Sequence, residues 1–212
     1  LKSFNSDIGV PLTVLGLPNG WSNPFIWFKN IILGVGLIIF RHSYPEWLVL
    51  EIGADRPGDI KKITQWIKPD ISVVTKKSSV PVHVEYFSSV DEVIKEKSYL
   101  AKATKDNGVL ILNSDDDKVS TMANLTDARK MTYGFIADAE VKASNDSVLY
   151  DESSGFPVGV NFKINYGGNS VPVSILGALG KQHIYPALSA IAVGLSQGIN
   201  IVSSAQRLLK HT

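Results

Sequence analysis

Two short apolar, β-branched runs flank a helical pattern, and that order constrains the fold more than any other feature of the chain. Trp47 to Ile52 is apolar enough for a buried strand and breaks at Gly53-Ala54 beside a polar turn. Pro57-Gly58-Asp59 then puts Pro and Asp in a first helical turn. Ile60, Ile63 and Ile67 fall on one face before Lys68-Pro69 stops the helix, and Ile71 to Thr75 reads as a second strand. A crossover of this length makes the two strands parallel. The expected fold is therefore α/β, a mostly parallel Rossmann-like sheet flanked by helices. Glu51 and His83 are expected to meet at the carboxyl edge of the sheet, where open α/β folds bind ligands.

The second half of the chain reads differently. Asp115 to Ala123 suggests a short helix and Lys130 to Phe135 a strand. Val148 to Tyr150, Val158 to Tyr166 and Val171 to Leu176 alternate as strands of a small antiparallel sub-sheet, with Gly167-Gly-Asn169 as a hairpin turn. Ile184 to Leu195 and Ile201 to Leu209 follow as helices, the second capped by Asn200. A net charge of +1 gives no reason to expect a nucleic-acid partner. The absence of cysteine excludes disulfides and thiolate metal sites, which fits a reducing, cytoplasmic setting.

Lys97 poses a physical question. Val90, Val93, Ile94, Leu100 and Ala101 form one stripe of a helix, with Lys97 in its middle and Lys95 and Lys102 pointing away. A lysine on a core-facing stripe must snorkel, find a partner or lose its proton. A neutral amine can add carbon dioxide, and the resulting carbamate is an anionic oxygen donor of the kind Mg²⁺ prefers. The helix alone leaves both readings open, a snorkelling lysine or a modified ligand.

Five tracts resemble the central domain of the Mur ligase family, and they occur in the family's order. They are Lys2 to Thr13, Leu48 to Ala54 with Gly58-Asp-Ile60, Val82 to Glu85, Glu96-Lys97 and Leu110 to Asp116. Asn5 to Thr13 and His83 to Ser89 are most similar to the MurF type, which joins D-alanyl-D-alanine to UDP-N-acetylmuramoyl tripeptide. The resemblance covers nearly the whole chain and implies a P-loop-type sheet and an ATP-dependent amide ligase of peptidoglycan synthesis. In that family ATP phosphorylates a carboxylate and an amine attacks the acyl phosphate, with magnesium clamping the phosphates. It implies Glu51, His83 and Lys97 as magnesium ligands and catalytic residues, Lys97 as a carbamate. Asn5 is placed by it at the substrate and phosphates, although capping of the Ile8 to Pro11 turn by Asn5 and Asp7 accounts for them equally well. Lys181 and His183 are implied to stand at the nucleotide, although for His183 a helix-entry residue with no ligand accounts for it equally well.

The chain also departs from the pattern. It has no Gly-x-x-x-x-Gly-Lys-Ser/Thr loop; Gly177-Ala-Leu-Gly-Lys-Gln182 has two residues between its glycines and Gln where the metal-binding hydroxyl belongs. Gly180-Lys-Gln-His183 reads as the family's turn before a helix, with Gln182, His183 and Pro186 replacing His and two Asn residues. The resemblance therefore implies a truncated central domain over residues 1–212, inactive alone. A P-loop segment, a uridine-nucleotide domain and a C-terminal domain would be supplied by the same polypeptide. Alternative functions are a Mur-type ligase with another amino acid acceptor and a non-catalytic interaction module.

Phe25 to Phe40 is very apolar, yet it is shorter than the roughly twenty residues a spanning helix needs and carries Lys29 and Asn30. A buried or partner-covered helical insertion is the expected reading. Peripheral contact with a membrane interface through Trp21, Trp27, Phe28 and Lys29 is the alternative.

Overall fold

The computed structural model describes residues 5–40, 43–76 and 86–209. The chain divides into two compact units, Leu1–Ile67 with His83–Glu96, and Lys68–Val82 with Lys97–Thr212.

The first unit is helical. It holds α1 (Gly9–Leu15), α2 (Pro24–Ile39), α3 (Asp59–Trp66) and the first half of α4 (Val90–Ala103). Gly16 ends α1 in the left-handed region with φ 66°, its N–H returning to carbonyls of the last turn. Asn23 caps α2 through its side chain, accepting from the Phe25 and Ile26 N–H groups, and Pro24 occupies the first helical position. Ile60 and Ile63 of α3 are buried as their spacing predicts.

Glu96 settles how α3 begins. Gly58, the residue before the helix, has no capping side chain. The buried Glu96 carboxylate instead accepts from the Gly58 and Lys61 N–H groups at 3.0 and 2.9 Å. Four N–H groups at a helix start lack intrahelical partners, so a remote carboxylate serves as cap and complements the helix dipole.

Trp47 to Ile52 does not form a strand, contrary to the sequence expectation. Val49 is 86% exposed and Trp47 59%. Apolar, β-branched composition favours a strand only where a neighbouring ladder takes up the backbone groups. Here the following residue, Gly53, donates its N–H to the Asn5 carbonyl at 2.9 Å, and no ladder partner for 47–52 occurs among the described residues.

The second unit carries a six-stranded sheet in the order β1-β2-β3-β4-β5-β6, made of β1 (Ile71–Val74), β2 (Val109–Asn113), β3 (Arg129–Gly134), β4 (Val141–Tyr150), β5 (Pro157–Tyr166) and β6 (Asn169–Leu176). β1 to β4 pair in parallel; β4, β5 and β6 pair antiparallel. Both the parallel sheet and the sub-sheet are thus as expected. α5 (Asp117–Ser120) and a 3₁₀ turn (Thr121–Leu125) replace the single helix read over Asp115 to Ala123.

β4 starts earlier than the alternation suggests. Ser144 to Ser147 is a polar bulge with Asn145 at φ 55°, and it interrupts the period by which strands are recognised. The Gly167-Gly168 turn has φ 55° and 80°, the type I′ geometry that matches strand twist.

One core serves this unit. Ile111, Met131, Tyr133, Val141 and Phe162 of the sheet join Ile184, Leu188 and Ile191 of α6 (Ile184–Ser196) and Ile201 and Ala205 of α7 (Ile201–Leu209). All five residues of β2 are buried, as expected of a parallel strand covered on both faces. Asn200 caps α7, accepting from the Ser203 N–H at 2.8 Å.

β5 has a tight point at Gly159, where a Cβ would lie 2.2 Å from the Ile175 carbonyl oxygen of β6. Backbone in a ladder cannot retreat as a side chain can. Gly159→Ala is expected to destabilise the protein by about 2 kcal/mol or more, read from the midpoint of a urea unfolding curve.

Candidate functional site

The parallel strands β1, β2 and β3 discharge their loops at one edge, and the residues that follow them converge there. Asp115, just past β2, is its anchor. Its carboxylate accepts from the Phe135 N–H at 2.9 Å, the Ile136 N–H at 2.9 Å and the Tyr185 hydroxyl at 2.8 Å. A Cβ on Gly134 would come within 2.6 Å of Asp115 Oδ1, so a larger residue there requires the carboxylate to shift. Burial raises the Tyr185 pKa, and donation to Asp115 raises it further, which keeps the phenol a donor.

Two ammonium groups flank this anchor. Lys76, after β1, places Nζ 3.4 Å from the Tyr185 hydroxyl and 5.2 Å from its ring centroid. Lys181, in the 3₁₀ turn Lys181–His183 before α6, lies 3.8 Å over the Phe135 ring and 3.8 Å from Asp146. Phe135 meets Tyr185 edge to face at 5.3 Å. The fully buried Asn113 accepts the Asp115 N–H at 3.0 Å. Its Nδ2 completes no hydrogen bond among the described residues, the Tyr133 hydroxyl being its electrostatic neighbour. Two lysines beside aromatic rings at the carboxyl edge are a set suited to a nucleotide's phosphates.

The family resemblance singles out Lys181, whereas Lys76, Asp115 and Tyr185 are not among the candidates read from the sequence. Their signal was positional: each directly follows a strand or opens a helix at the carboxyl edge. His183 is exposed in the helix-entry turn, with its N–H donating to the Gly180 carbonyl at 3.2 Å.

Lys97 behaves as its stripe predicts. Val93 and Ala101 are buried, Ile94 and Leu100 half-buried, and Lys95 and Lys102 exposed. Burial lowers the Lys97 pKa, and the Asp116 carboxylate opposes that shift. A depressed pKa increases the share of amine that can take up carbon dioxide at neutral pH.

Asn5 and Glu51 come together in the first unit, Asn5 Nδ2 donating to Glu51 Oε1 at 3.4 Å. Asp7 pairs with Lys62 at 3.3 Å, and α1 has no side-chain cap, so the capping expected of Asn5 and Asp7 is not formed. Ile8 takes the cap position with helical φ and ψ, and the Val10 N–H is taken by the Ser6 carbonyl at 2.9 Å. His83 lies outside the described residues. No three His, Cys, Asp or Glu side chains converge as a metal-holding group among the described residues.

The profile of the Mur ligase middle domain matches residues 32–194. The chain belongs to the Mur ligase family. A relative from Mycobacterium leprae (strain TN), a UDP-N-acetylmuramoyl-tripeptide–D-alanyl-D-alanine ligase, is 28% identical over 98% of this chain and 36% of its own length. MurF from Acinetobacter baumannii superposes with a TM-score of 0.72 at 19% identity, over 98% of this chain and 38% of that one. MurF from Thermotoga maritima, solved in complex with ADP, gives 0.65 at 18% identity over 92% and 44%. These superpositions agree with the Mur ligase fold. The chain spans about a third of the length of the curated relative it matches.

Lys97 also gives this Mur ligase domain a pH signature. Because its folded pKa is lowered, the native state carries a charge penalty below that pKa. Between it and the unfolded value of 10.5 the unfolded chain binds more protons, so stability rises with pH in that window. In buffer freed of carbon dioxide, Lys97→Met is expected to melt above wild type at pH 7. The gap should close as pH climbs toward 10.5 in a series of thermal melts.

Proposed function

We propose that this chain is the ATP-handling middle domain of a MurF-type ligase, a cytoplasmic enzyme joining D-alanyl-D-alanine to UDP-N-acetylmuramoyl tripeptide. The observation that carries the reading is Lys97: a half-buried amine with a lowered pKa, opposite Asp116, at the position the family resemblance gives to a carbamate. Support comes from the match to the middle-domain profile and from the printed activity of the Mycobacterium leprae relative.

In this reading Lys97 loses its proton, the amine nitrogen attacks carbon dioxide, and the carbamic acid formed ionises to an oxygen donor. Glu51, His83 and the Lys97 carbamate would hold Mg²⁺. That ion supplies charge neutralisation for phosphoryl transfer from ATP to the tripeptide carboxylate. Asn5, by donating to Glu51, fixes the carboxylate's orientation. Lys76 and Lys181 supply positive charge to nucleotide phosphates. Asp115, fixed by its three donors, positions Tyr185 between the Lys76 and Phe135 sides of the site. The remaining domains of the same polypeptide would bring the UDP-linked peptide and the dipeptide.

The test uses the full-length protein. Phosphate release from ATP should require both UDP-N-acetylmuramoyl tripeptide and D-alanyl-D-alanine; release with a different amino acid acceptor would move the chain to another Mur-type ligase. Lys97→Ala should lower turnover by about a thousandfold or more, the scale lost with an essential transition-state electrostatic group. Added short-chain carboxylate should restore part of it. An active Lys97→Ala enzyme, or one that carboxylate leaves unchanged, removes Lys97 from the metal site.

A further inference from the structure

Within its own chain α2 is exposed along most of its length, so of the expected buried or partner-covered insertion it is the buried form that the structure corrects. Along Pro24–Ile39 only Asn30 is buried. Phe25 is 82% exposed and Ile38 85%, and Phe28, Ile31, Ile32 and Ile39 stand out beside them. The helix lacks the polar face that would allow periodicity to choose an outside. Burial of such a run demands a second layer of protein, and within the described residues its unit supplies contact along one narrow side.

That side is specific. Trp27 donates its indole N–H to the Trp21 carbonyl at 2.9 Å, and its ring lies where a Cβ on Gly20 would be. Asn30 Nδ2 donates to the Pro18 carbonyl at 2.7 Å. Gly34 lets Leu15 of α1 approach, its side chain 3.7 Å from the place of a Cβ. Trp27, Asn30 and Gly34 repeat at helical spacing, so α2 is held rigidly by one edge with the rest turned outward. At about 100° per residue the outward apolar arc from Ile38 round to Leu33 spans roughly 220°. A helix docked on a protein usually buries a stripe of about 100°.

Three observations narrow the occupant. No helix among the described residues is long and apolar enough to cross a membrane, and α2 at its 16 residues reaches only about 24 Å. No acidic residue occurs between Asp7 and Glu46, whereas Lys29 and Arg41 lie inside that stretch. Trp21, 68% exposed, stands just before the helix, an amphipathic ring of the sort that settles at headgroup depth. A wide apolar arc, positive flanks and an interfacial tryptophan match a helix lying in the plane of an anionic bilayer surface.

We infer that α2 is a membrane-surface anchor that seats this protein on anionic lipid through Phe28, Ile31, Val35 and Ile38, with Lys29 at the headgroups. The inference stands independently of the ligase reading. It gives the enzyme a place beside a bilayer without a spanning segment.

Full-length protein mixed with vesicles of phosphatidylglycerol and phosphatidylcholine should float with them, and bind pure phosphatidylcholine about fivefold or more less well. The double variant Ile31→Glu, Ile38→Glu should lose binding by on the order of a hundredfold while keeping its circular-dichroism melt, since both side chains are solvent-facing. Lys29→Glu should weaken binding to the anionic vesicles alone. Absence of flotation with both vesicle types, or equal flotation of the double variant, overturns the inference. So does a concentration-dependent dimer that the same substitutions dissolve without any vesicle binding, which would assign the face to a second copy.

Discussion

Parallel pairing from β1 to β4 is the constraint on which the candidate site depends. A parallel neighbour can be reached only by carrying the chain back to the starting end, so every crossover returns and every strand finishes at the same edge. Lys76, Asp115 and Phe135 are distant in sequence yet share that edge for this reason alone. β5 then reverses the direction, and the antiparallel β5 and β6 extend the sheet with no further crossovers. α6 enters from the turn at Gly180 and brings both the core residues Ile184 and Leu188 and the site residue Tyr185. Adjacent positions on one helical turn thereby serve packing and chemistry.

Much of this architecture was legible in the sequence wherever local rules decide. α3, α6 and α7 have clear apolar faces, Asn200 is a strong cap, and Gly167-Gly168 suits only a narrow range of turns. Trp47 to Ile52 was misread because a strand is a relation between neighbours, and composition records only one party to it. The first half of β4 was hidden by its own bulge at Ser144 to Ser147. α2 was recognisable as a helix, but an apolar surface all round carries no information on what it faces. Lys97 stands out from its place on the stripe alone. The Asp115–Tyr185 contact spans 70 residues and leaves no trace in any local pattern.

Glu96 and Lys97 show two outcomes of burying charge at successive positions of one helix. The Glu96 carboxylate is compensated by two N–H groups at the start of α3, a site where the helix dipole adds to the hydrogen bonds. Lys97 is left with a lowered pKa against an opposing carboxylate, and so stays chemically available. A group fully satisfied by its surroundings is structural; one incompletely satisfied is where reactivity is retained.

The clasp between Gly134 and Asp115 carries a consequence for how this sequence can drift. A Cβ at Gly134 would lie 2.6 Å from Asp115 Oδ1 and 2.8 Å from Ser114 Oγ, so a larger residue there requires both side chains to shift. A shift of Asp115 acts on its bonds to the Phe135 and Ile136 amides and the Tyr185 hydroxyl together. What is tolerated at Gly134 therefore depends on what Asp115 can give up, and the two positions answer to the same three donors.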